Sequence, residues 1–586
     1  MNTNKSKIVF QSSAKDFEKI PGAPIAYWIS ANTASIFSLE TISKCLDIRA
    51  GVLSGNDNIF IRNWFEVQYQ NISMSFSSYD DIINKNPSWL PITGGGGFRK
   101  WFGALFSVIN SKNNFSAIKN LKGNNYRLRD PIFYFKKGLN WPLISTSMFG
   151  AKLSPEHVVF GNSVRNGFPL PTPTEKREVE FFIGLLCSSV VGHILNFINP
   201  TVNFNNEDIA KIPICALQNE RIIHNNAVTN IAISQNDWNA VETSWNFKSN
   251  PLVINKKKHE YLATTYTILR KQYLEATSEM HRLEEENNRI FIEAYGLREE
   301  LTPEVSWNEI TLTCNPWYRY GVTPPNPTCE EFPVDETLEA RLKADTMKEF
   351  LSYAVGCMFG RYSLDKPGLV LANQGETLAD YLRQIPQPTF RPDEDNVLPI
   401  LDEDWFADDI VTRFNEFLKT TFGEENFYEN LAFIEDALGK DVRSFFLKDF
   451  YKDHLQRYHN RPIYWLFSSP KGAFNALVYM HRYRPETVGM VLTYLRSHIT
   501  KVSERIHTLE ITIDSPDATA SMKSKAIREC AKLQKNLQEL EDYERDVLYP
   551  LATEKIDLDL DDGVKVNYRK FGNALFKVKG LETKED

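Results

Sequence analysis

Short aromatic and β-branched runs, separated by clusters of Asn, Gly, Ser and Pro, fill much of the first third of the chain. Such runs begin at Ile59, Phe133 and Val158, and their spacing predicts strands. Between residues 175 and 197 the apolar positions recur at helical spacing before an Asn-Pro pair, which predicts one helix. The pattern therefore predicts a mixed α/β domain that ends near residue 215.

Longer apolar repeats follow in two places. Apolar residues recur with alternating 4-3 spacing over residues 262–290, the pattern of one long helix, and Gly296 and Pro303 end it. A second repeat over residues 492–547 breaks at Pro516, which predicts an antiparallel helical hairpin with its turn there. Packing on the body of the protein and dimerisation as a coiled coil both remain open for these helices.

The region between the two repeats is acidic and rich in aromatic residues. Its apolar spacing predicts helices near residues 344–359 and 406–422, and the Leu/Asp alternation after residue 556 predicts a short hairpin or an extended clasp. The whole pattern predicts the α+β class. The predicted divisions are a mixed α/β domain (1–215), a connector with a long spacer helix (216–300), a mainly helical domain (301–490), and a hairpin with a clasp (491–586).

Composition narrows the class of protein. The chain has 586 residues, 42% of them hydrophobic, which is ample for several cores. No apolar run approaches the roughly 20 residues that span a bilayer, and the first residues are polar, so we expect a cytoplasmic protein without a membrane partner. The seven cysteines form no Cys-x-x-Cys pair, so neither a zinc ribbon nor a disulfide framework is indicated.

Positive charge is concentrated in the first 215 residues, which hold 22 Lys and Arg against 15 Asp and Glu, whereas the remainder holds 45 against 60. The densest stretch covers residues 112–137, where Asp130 is the sole acidic residue. A cationic surface attracts polyanions and makes their binding depend on salt, but it carries no sequence information. The charge distribution therefore indicates nucleic acid as a class of partner.

Residues 94–101 read Gly-Gly-Gly-Gly-Phe-Arg-Lys-Trp. Glycines let the main chain approach a ligand closely, cations bind phosphates or base edges, and aromatic rings offer stacking surfaces. The segment therefore predicts a nucleic-acid contact through Arg99, Lys100 and Trp101. The alternative is a flexible loop before a strand, in which both cations are only solvated.

Asn315-Pro-Trp-Tyr is similar to the tetrapeptide with which amino-methylating DNA methyltransferases hold a flipped base. In that tetrapeptide, oxygen acceptors bind the amino hydrogens and a ring stacks on the base. Here Trp317 replaces the second Pro, and no strand with a Gly-rich turn for S-adenosylmethionine precedes it. We interpret the segment as a turn with buried aromatics.

Two further groups are compatible with metal chemistry, but ordinary structural roles explain them better. An acidic group lies before an apolar run, where helix capping is common, and three histidines lack metal-ligand spacing and fit core or solvated positions. We therefore expect no catalytic residue, cofactor site or metal site in this chain. The residues are Asp402, Glu403, Asp404, Asp408, Asp409, His454, His459 and His481.

Several strings resemble a known family. Gly51-Val-Leu-Ser-Gly-Asn-Asp-Asn-Ile-Phe-Ile-Arg-Asn-Trp64 and Gly95-Gly-Gly-Phe-Arg-Lys-Trp-Phe102 are similar to segments of the PglX family, the adenine-specific DNA methyltransferases of BREX phage-defence systems. They are also similar to segments of related fused restriction-modification enzymes. The resemblance covers essentially the whole chain, and its other strings are residues 19–28, 138–141, 199–204, 291–297, 353–364, 461–467 and 558–567.

The resemblance implies the target-recognition and carboxy-terminal parts of an N6-adenine methyltransferase. The family's S-adenosylmethionine-binding and Asn-Pro-Pro-Tyr motifs are not found in this sequence, so S-adenosylmethionine is implied for a catalytic domain or subunit and no cofactor for this chain. A split system, a truncated gene and a fragment would all fit.

The implied partners are double-stranded DNA, the catalytic part and other BREX proteins. A scaffold of the defence complex that does not read DNA is the alternative function. For the DNA-reading function, the predicted contacts are Asn56, Asp57, Arg62, Gly95, Gly96, Arg99, Lys100, Trp101, Arg127, Arg129, Lys136, Lys137 and Trp141.

Overall fold

This computed structural model describes residues 29–581, except positions 124, 146–147, 172–176, 200, 218–219 and 258–259. The string at residues 19–28 that contributes to the family resemblance lies outside the described residues. Helices predominate over small antiparallel sheets, so the predicted α+β class is confirmed.

The secondary structure elements are numbered in chain order. The helices are α1 (Ala31–Ile36), α2 (Asp57–Phe60), α3 (Tyr79–Lys85), α4 (Lys112–Lys119), α5 (Val179–Leu186), α6 (Ser189–Ile198), α7 (Asn206–Ala210), α8 (Glu220–Asn239), α9 (Pro251–Asn255), α10 (Leu262–Ala294), α11 (Pro316–Arg319), α12 (Glu336–Met358), α13 (Leu378–Gln384), α14 (Ile410–Phe422), α15 (Phe427–Leu438), α16 (Val442–Phe445), α17 (Tyr451–Arg457), α18 (Thr487–Asp514), α19 (Ala520–Tyr543), α20 (Tyr549–Glu554) and α21 (Val564–Asn567). The strands are β1 (Leu46–Ala50), β2 (Ile61–Asn63), β3 (Trp89–Ile92), β4 (Ser107–Asn110), β5 (Gly138–Pro142), β6 (Lys152–Ser154), β7 (Val164–Pro169), β8 (Val397–Pro399), β9 (Tyr464–Ser468) and β10 (Asn475–Tyr479).

The chain forms two compact units, each built from segments that are distant in the sequence. Within the described part, the first unit comprises residues 29–61, 72–239 and 271–339, and the second comprises residues 62–71, 240–270 and 340–581. The four divisions drawn from the sequence remain a prediction.

An antiparallel four-stranded sheet in the order β1-β7-β5-β6 lies in the first unit. Leu139 and Trp141 of β5 are fully buried in a core that also contains the apolar residues of α5 and α6. A second core of aromatic residues, including Phe115 and Tyr134, adjoins the antiparallel pair β3 and β4. Burial of this apolar area holds the unit's short strands together.

The three aromatic runs do not form the predicted strands. Strand β2 begins only at Ile61, after the short helix α2, and residues 131–133 form a 3-10 turn in which Asp130 accepts a hydrogen bond from the backbone of Ile132 at 3.1 Å. Val159 makes an isolated bridge with Ile92. Apolar side chains can be buried without a regular strand, so their pattern alone overpredicted β-structure here.

The helix predicted over residues 175–197 is two helices, α5 and α6, and residues 175–176 lie outside the described part. Cys187 ends the first helix, and the Ser188 hydroxyl caps the second by accepting a hydrogen bond from the backbone of Val191. A serine that bonds to the backbone in this way starts a new helix. The apolar spacing continues across residues 187–188, so the sequence pattern did not indicate the break between the two helices.

The long helix predicted from the 4-3 repeat is confirmed as α10. It ends at Gly296, whose φ is +69°, and the Leu297 amide donates to the Ile292 carbonyl while the Gly296 amide donates to the Glu293 carbonyl. These two hydrogen bonds and a left-handed glycine define a Schellman ending, which a glycine tolerates without steric cost.

The predicted helical hairpin is also confirmed. Helices α18 and α19 are joined by residues 515–519, and Thr519 caps α19 by accepting from the backbone of Met522. Leu495 and Leu533 belong to the buried faces of the two helices. Helices α12 and α14 likewise confirm the helices predicted near residues 344–359 and 406–422.

The tail after residue 556 consists of α21 and 3-10 turns rather than a hairpin. Its Asp561 carboxylate accepts hydrogen bonds from the Gln68 amide at 3.1 Å and from the Asn71 side chain at 2.7 Å, all within the second unit. The hairpin alternative is therefore wrong, whereas the contacts fit the extended clasp.

Across the described residues, no single helix is long and apolar enough to cross a membrane, although α5 and α6 together meet that standard by length and composition as a pair bent by 67°.

Candidate nucleic-acid interface

Arg99 of the glycine-rich segment is directed into the first unit. Its side chain is 4% exposed and donates to the Asp237 carboxylate at 2.8 Å and to the Phe102 carbonyl at 2.7 Å. Asp237 also accepts hydrogen bonds from the backbone amides of Thr313 and Cys314. Arg99 is thus part of a buried network that joins separate segments.

Lys100 has a similar internal role. Its ammonium is paired with the Glu284 carboxylate, which also accepts from the Trp101 indole at 2.7 Å, and all three side chains are buried. Burial would lower the pKa of Lys100, but the carboxylates of Glu284 and Glu309 outweigh it and raise that pKa above its ordinary value. Lys100 is therefore held in its charged form.

The prediction of phosphate contacts by Arg99 and Lys100 needs correction for this structure. Neither cation could bind a phosphate without first breaking a buried ion pair, which is costly because it leaves a carboxylate unpaired. Trp101 and Trp141 are 1% and 0% exposed, so neither ring offers a face to a base. Trp141 instead donates to the Phe204 carbonyl at 3.3 Å.

A groove of about 330 Å³ opens elsewhere in the first unit, and we call it the glycine groove. The main chain is closely packed along it: a Cβ on Gly51 would lie 2.1 Å from the Gly161 carbonyl oxygen, and a Cβ on Gly161 would lie 2.2 Å from that of Thr93. Only glycine permits such an approach. Its polar lining includes Asp57, Thr93, Gly94, Gly95, Asn162 and Ser163.

Of the two predicted glycines, Gly95 lines this groove and Gly96 does not. The Gly95 amide donates to the Ser163 hydroxyl at 2.9 Å, and Gly95 is half-buried, whereas Gly96 is exposed. A Cβ on Gly96 would lie 2.6 Å from the Ala104 Cβ. Gly96 is therefore closely packed against the Ala104 side chain, and the two cations that follow the glycine run face inward.

Three arginines adjoin the groove, and we call them the arginine border: Arg127, Arg129 and Arg165. Arg127 exchanges two backbone hydrogen bonds with Leu53, and the Arg129 guanidinium donates to the Gly51 carbonyl at 2.9 Å. Arg165 donates to the Asn162 carbonyl at 3.0 Å. Leu53 and Asn162 line the groove, and Gly51 packs against its Gly161, so the structure brings these arginines to its edge.

Two members of the border, Arg129 and Arg165, form no ion pair with a carboxylate within the described part of the chain. Burial, and then the neighbouring guanidinium of Arg129, lower the pKa of Arg165. Two like charges held close together favour an anionic ligand, because binding one relieves their repulsion.

The remaining predicted contacts are scattered. Asp57 lines the groove and accepts from the Ser54 hydroxyl, and Asn56 is half-buried beside it. Lys136 is exposed, with its ammonium 5.3 Å from the centre of the Phe133 ring. Lys137 is paired with Glu180.

Arg62 belongs to the second unit. It donates to the Asp562 carbonyl at 3.0 Å, and burial lowers its pKa. Its guanidinium thus packs on the tail.

A larger cavity of about 600 Å³ in the first unit has a different character. Glu284, Glu304 and Glu309 line it, and burial raises the pKa of Glu309. Lys100 also lines it, but this ammonium is already paired with Glu284. The charge of this cavity does not favour a phosphate.

The sequence missed Arg165, Asn162 and Ser163. They lie in a short stretch around Gly161 that carries no dense charge and no unusual composition. The close approach of Gly161 to Gly51 brings them to the groove, and this contact joins segments more than a hundred residues apart. No local signal could have identified them.

The interpretation of Asn315-Pro-Trp-Tyr as a structural turn is confirmed. Asn315 is fully buried and caps α11: its amide donates to the carbonyls of Trp307 at 2.7 Å and Ile310 at 2.9 Å, while its oxygen accepts from the Trp317 backbone at 3.2 Å. All polar atoms of this side chain are therefore engaged within the fold, and none faces a substrate.

Asp409 of the acidic group caps a helix, and two of the three histidines, His454 and His481, are core residues, as interpreted from the sequence. Asp409 caps α14 by accepting from the Thr412 backbone and is paired with Arg443 at 2.6 Å. His454 and His481 are buried, and burial lowers the pKa of His481 to about 3. Capping and core packing account for these residues.

The fold and site define an α+β protein with a glycine-walled groove bordered by arginines. No protein-family model matches the chain. It is 34% identical, over 96% of its length, to the adenine-specific methyltransferase PglX of Lacticaseibacillus casei (strain Zhang), of which it covers 45%. It is also 34% identical, over 97% of its length, to the adenine-specific methyltransferase BrxX of Escherichia coli O9:H4 (strain HS), of which it covers 46%.

Over almost its whole length the chain is therefore similar to these two relatives, and it is PglX/BrxX-like. It spans about half the length of the curated relatives that it matches.

Proposed function

We propose that the first unit of this chain binds double-stranded DNA as the target-recognition part of an adenine-specific DNA methyltransferase of a BREX-type system. The observation that carries the proposal is the arginine border. Guanidinium groups donate in a fixed fork that fits phosphate oxygens and the O6 and N7 atoms of guanine.

The dimensions of the glycine groove support a specific mode of contact. A volume of about 330 Å³ admits a phosphate or a base edge but not a duplex, so the DNA lies across the groove mouth. Arg129 and Arg165 then bind the backbone, and the main chain at Gly95, with Asp57 and Asn162, faces the groove from its other sides. Phosphate contacts set the position of the protein on DNA, and base contacts set its specificity.

Methyl transfer requires a second component in this proposal. S-adenosylmethionine and the target adenine bind to a separate catalytic domain or subunit, because this sequence carries neither a Gly-rich cofactor turn nor an Asn-Pro-Pro-Tyr segment. The second unit then serves contacts with that component or with other defence proteins in the cytoplasm.

Fluorescence anisotropy with a labelled duplex, repeated over a series of salt concentrations, tests DNA binding. We expect wild-type affinity to fall as salt rises and the double variant Arg129→Ala/Arg165→Ala to bind much more weakly. Arg282→Ala/Arg298→Ala is a matched control, because it removes the same charge from exposed arginines paired with carboxylates. It should bind like the wild type.

Equal binding by the wild type and the border variant would contradict the proposal. Retention of a protein partner together with no binding of DNA would favour the scaffold function instead. For the catalytic part, we expect no transfer of tritiated methyl groups from S-adenosylmethionine to DNA by this chain alone, and strong incorporation would contradict that part.

A further inference from the structure

Three side chains of residue types that can bind a metal ion converge in the first unit, and none of them lines the glycine groove. They are Glu178, Glu180 and His224, and one ligand atom of each lies within 4.8 Å of those of the other two. The Glu178 carboxylate and the His224 Nε2 are 2.9 Å apart. Glu178 and Glu180 flank the first residue of α5, and His224 lies near the start of α8, so two helices hold the group together.

Glu180 is the unusual member, because its residue is only 6% exposed. Its Oε1 accepts from the Lys137 ammonium, but its Oε2 is buried without a hydrogen-bond partner among the described residues. A buried carboxylate oxygen without a partner costs desolvation free energy. A cation held between Glu178, Glu180 and His224 would give the Glu180 carboxylate a further partner.

We propose that Glu178, Glu180 and His224 bind a divalent transition-metal ion, with Zn²⁺ as its representative. One imidazole nitrogen and two carboxylate oxygens suit zinc and its neighbours, whereas Ca²⁺ and Mg²⁺ favour oxygen ligands alone. Three protein ligands leave a fourth position of a tetrahedral ion for water. The ion ties α5 to α8.

Lys137 has a defined place in this proposal. Its ammonium already supplies one positive charge to Glu180, so it competes with the ion for the same carboxylate and repels it. Removal of this charge should therefore strengthen metal binding. If Lys137 had only a structural role, its removal would not increase the affinity for the metal ion.

Isothermal titration of the full, chelator-treated chain with Zn²⁺ tests the site. We expect one ion per chain, affinity at least about tenfold lower for Glu180→Gln and for His224→Ala, and higher affinity for Lys137→Met. His193→Ala is the matched control: His193 faces Glu300 at 3.7 Å in a similar half-buried pair, without a third ligand among the described residues. It should bind Zn²⁺ like the wild type.

Two further measurements test whether the bound ion occupies this site in the folded protein. Co²⁺ should give the visible absorption of a tetrahedral complex with the wild type but not with His224→Ala, and Zn²⁺ should raise the melting temperature of the wild type but not of this variant. His224 is one-third exposed, so its removal should leave the fold intact even if Glu180→Gln does not fold. Wild-type stoichiometry and affinity in His224→Ala, or no Zn²⁺ binding by the wild type, would overturn the proposal.

Discussion

The guanidinium of Arg99 donates to the carboxylate of Asp237 at 2.8 Å, and the two side chains are 4% and 5% exposed. The Arg99 side chain also lies 5.2 Å from the centre of the Trp238 ring. Thr313 and Cys314 bond to the other side of the same carboxylate. Arg99, although it follows the glycine run, therefore belongs to a buried hydrogen-bond network of the first unit.

Arg99→Ala should strongly destabilise the first unit. The variant leaves the Asp237 charge buried and unpaired, a change that costs about 3–5 kcal/mol. Urea unfolding followed by tryptophan fluorescence measures the effect as a lower midpoint. Arg129→Ala, which removes an exposed arginine, is the control and should change the midpoint little; similar midpoints for both variants would show that the Arg99 pair contributes no more than a surface charge.

Arg129→Ala should also reduce the salt dependence of DNA binding. Each phosphate contact releases counterions and contributes about 0.9 to the slope of log affinity against log salt, so the slope should fall by about that amount. Arg129→Lys keeps the charge and should keep the slope. An unchanged slope in Arg129→Ala would mean that this residue does not bind a phosphate.

Lys152 should make the stability of the protein depend on pH. Its ammonium is buried, and burial, followed by the charge of Arg99, lowers its pKa from 10.5 to about 8. Between these two values the unfolded chain keeps a proton that the folded protein has lost, so this group's contribution to stability increases with pH. Below pH 8 both states are protonated, and the folded protein carries the cost of the buried charge.

Lys152→Met removes that charge at similar volume. We expect the variant to be more stable than the wild type at pH 7, by on the order of 3 kcal/mol at most, and the difference to shrink towards pH 10. Urea midpoints of both proteins over this range give the measurement. A difference that does not change with pH would rule out a buried, titrating Lys152.

Asn315→Asp should destabilise the protein even though it keeps an acceptor at the position. A carboxylate cannot donate to the carbonyls of Trp307 and Ile310, and it adds a buried charge, so a loss of about 2 kcal/mol or more is expected. Asn225→Ala, an exposed change on α8, should have little effect. Melting temperatures from thermal unfolding measure the loss, and equal stability of the wild type and Asn315→Asp would contradict the structural role of Asn315.

Regular repeats made parts of the fold predictable. The 4-3 spacing of α10, its glycine ending and the break at Pro516 between α18 and α19 are properties of neighbouring residues, so they can be recognised without knowledge of tertiary contacts. The aromatic runs failed as strand signals, because a buried side chain at Phe160 needs only an apolar core around it.

The buried ion pairs could not be predicted from the sequence, because their members are far apart in it. Arg99 and Asp237 are 138 residues apart in sequence, and Lys100 and Glu284 are 184 apart, so no window of the sequence could show that these cations face inward. The same holds for Arg165 beside Arg129 and for His224 beside Glu178. These side chains meet only when the backbone has folded.

By itself, the sequence determined the α+β class, the long helix, the helical hairpin and the resemblance to PglX, because periodicity and characteristic strings are carried by consecutive residues. The tertiary structure alone decided which cations are buried in ion pairs, which arginines border a groove and which carboxylates share a histidine. The physical reason is that burial and charge pairing depend on the distance between side chains in space, and distant segments set that distance.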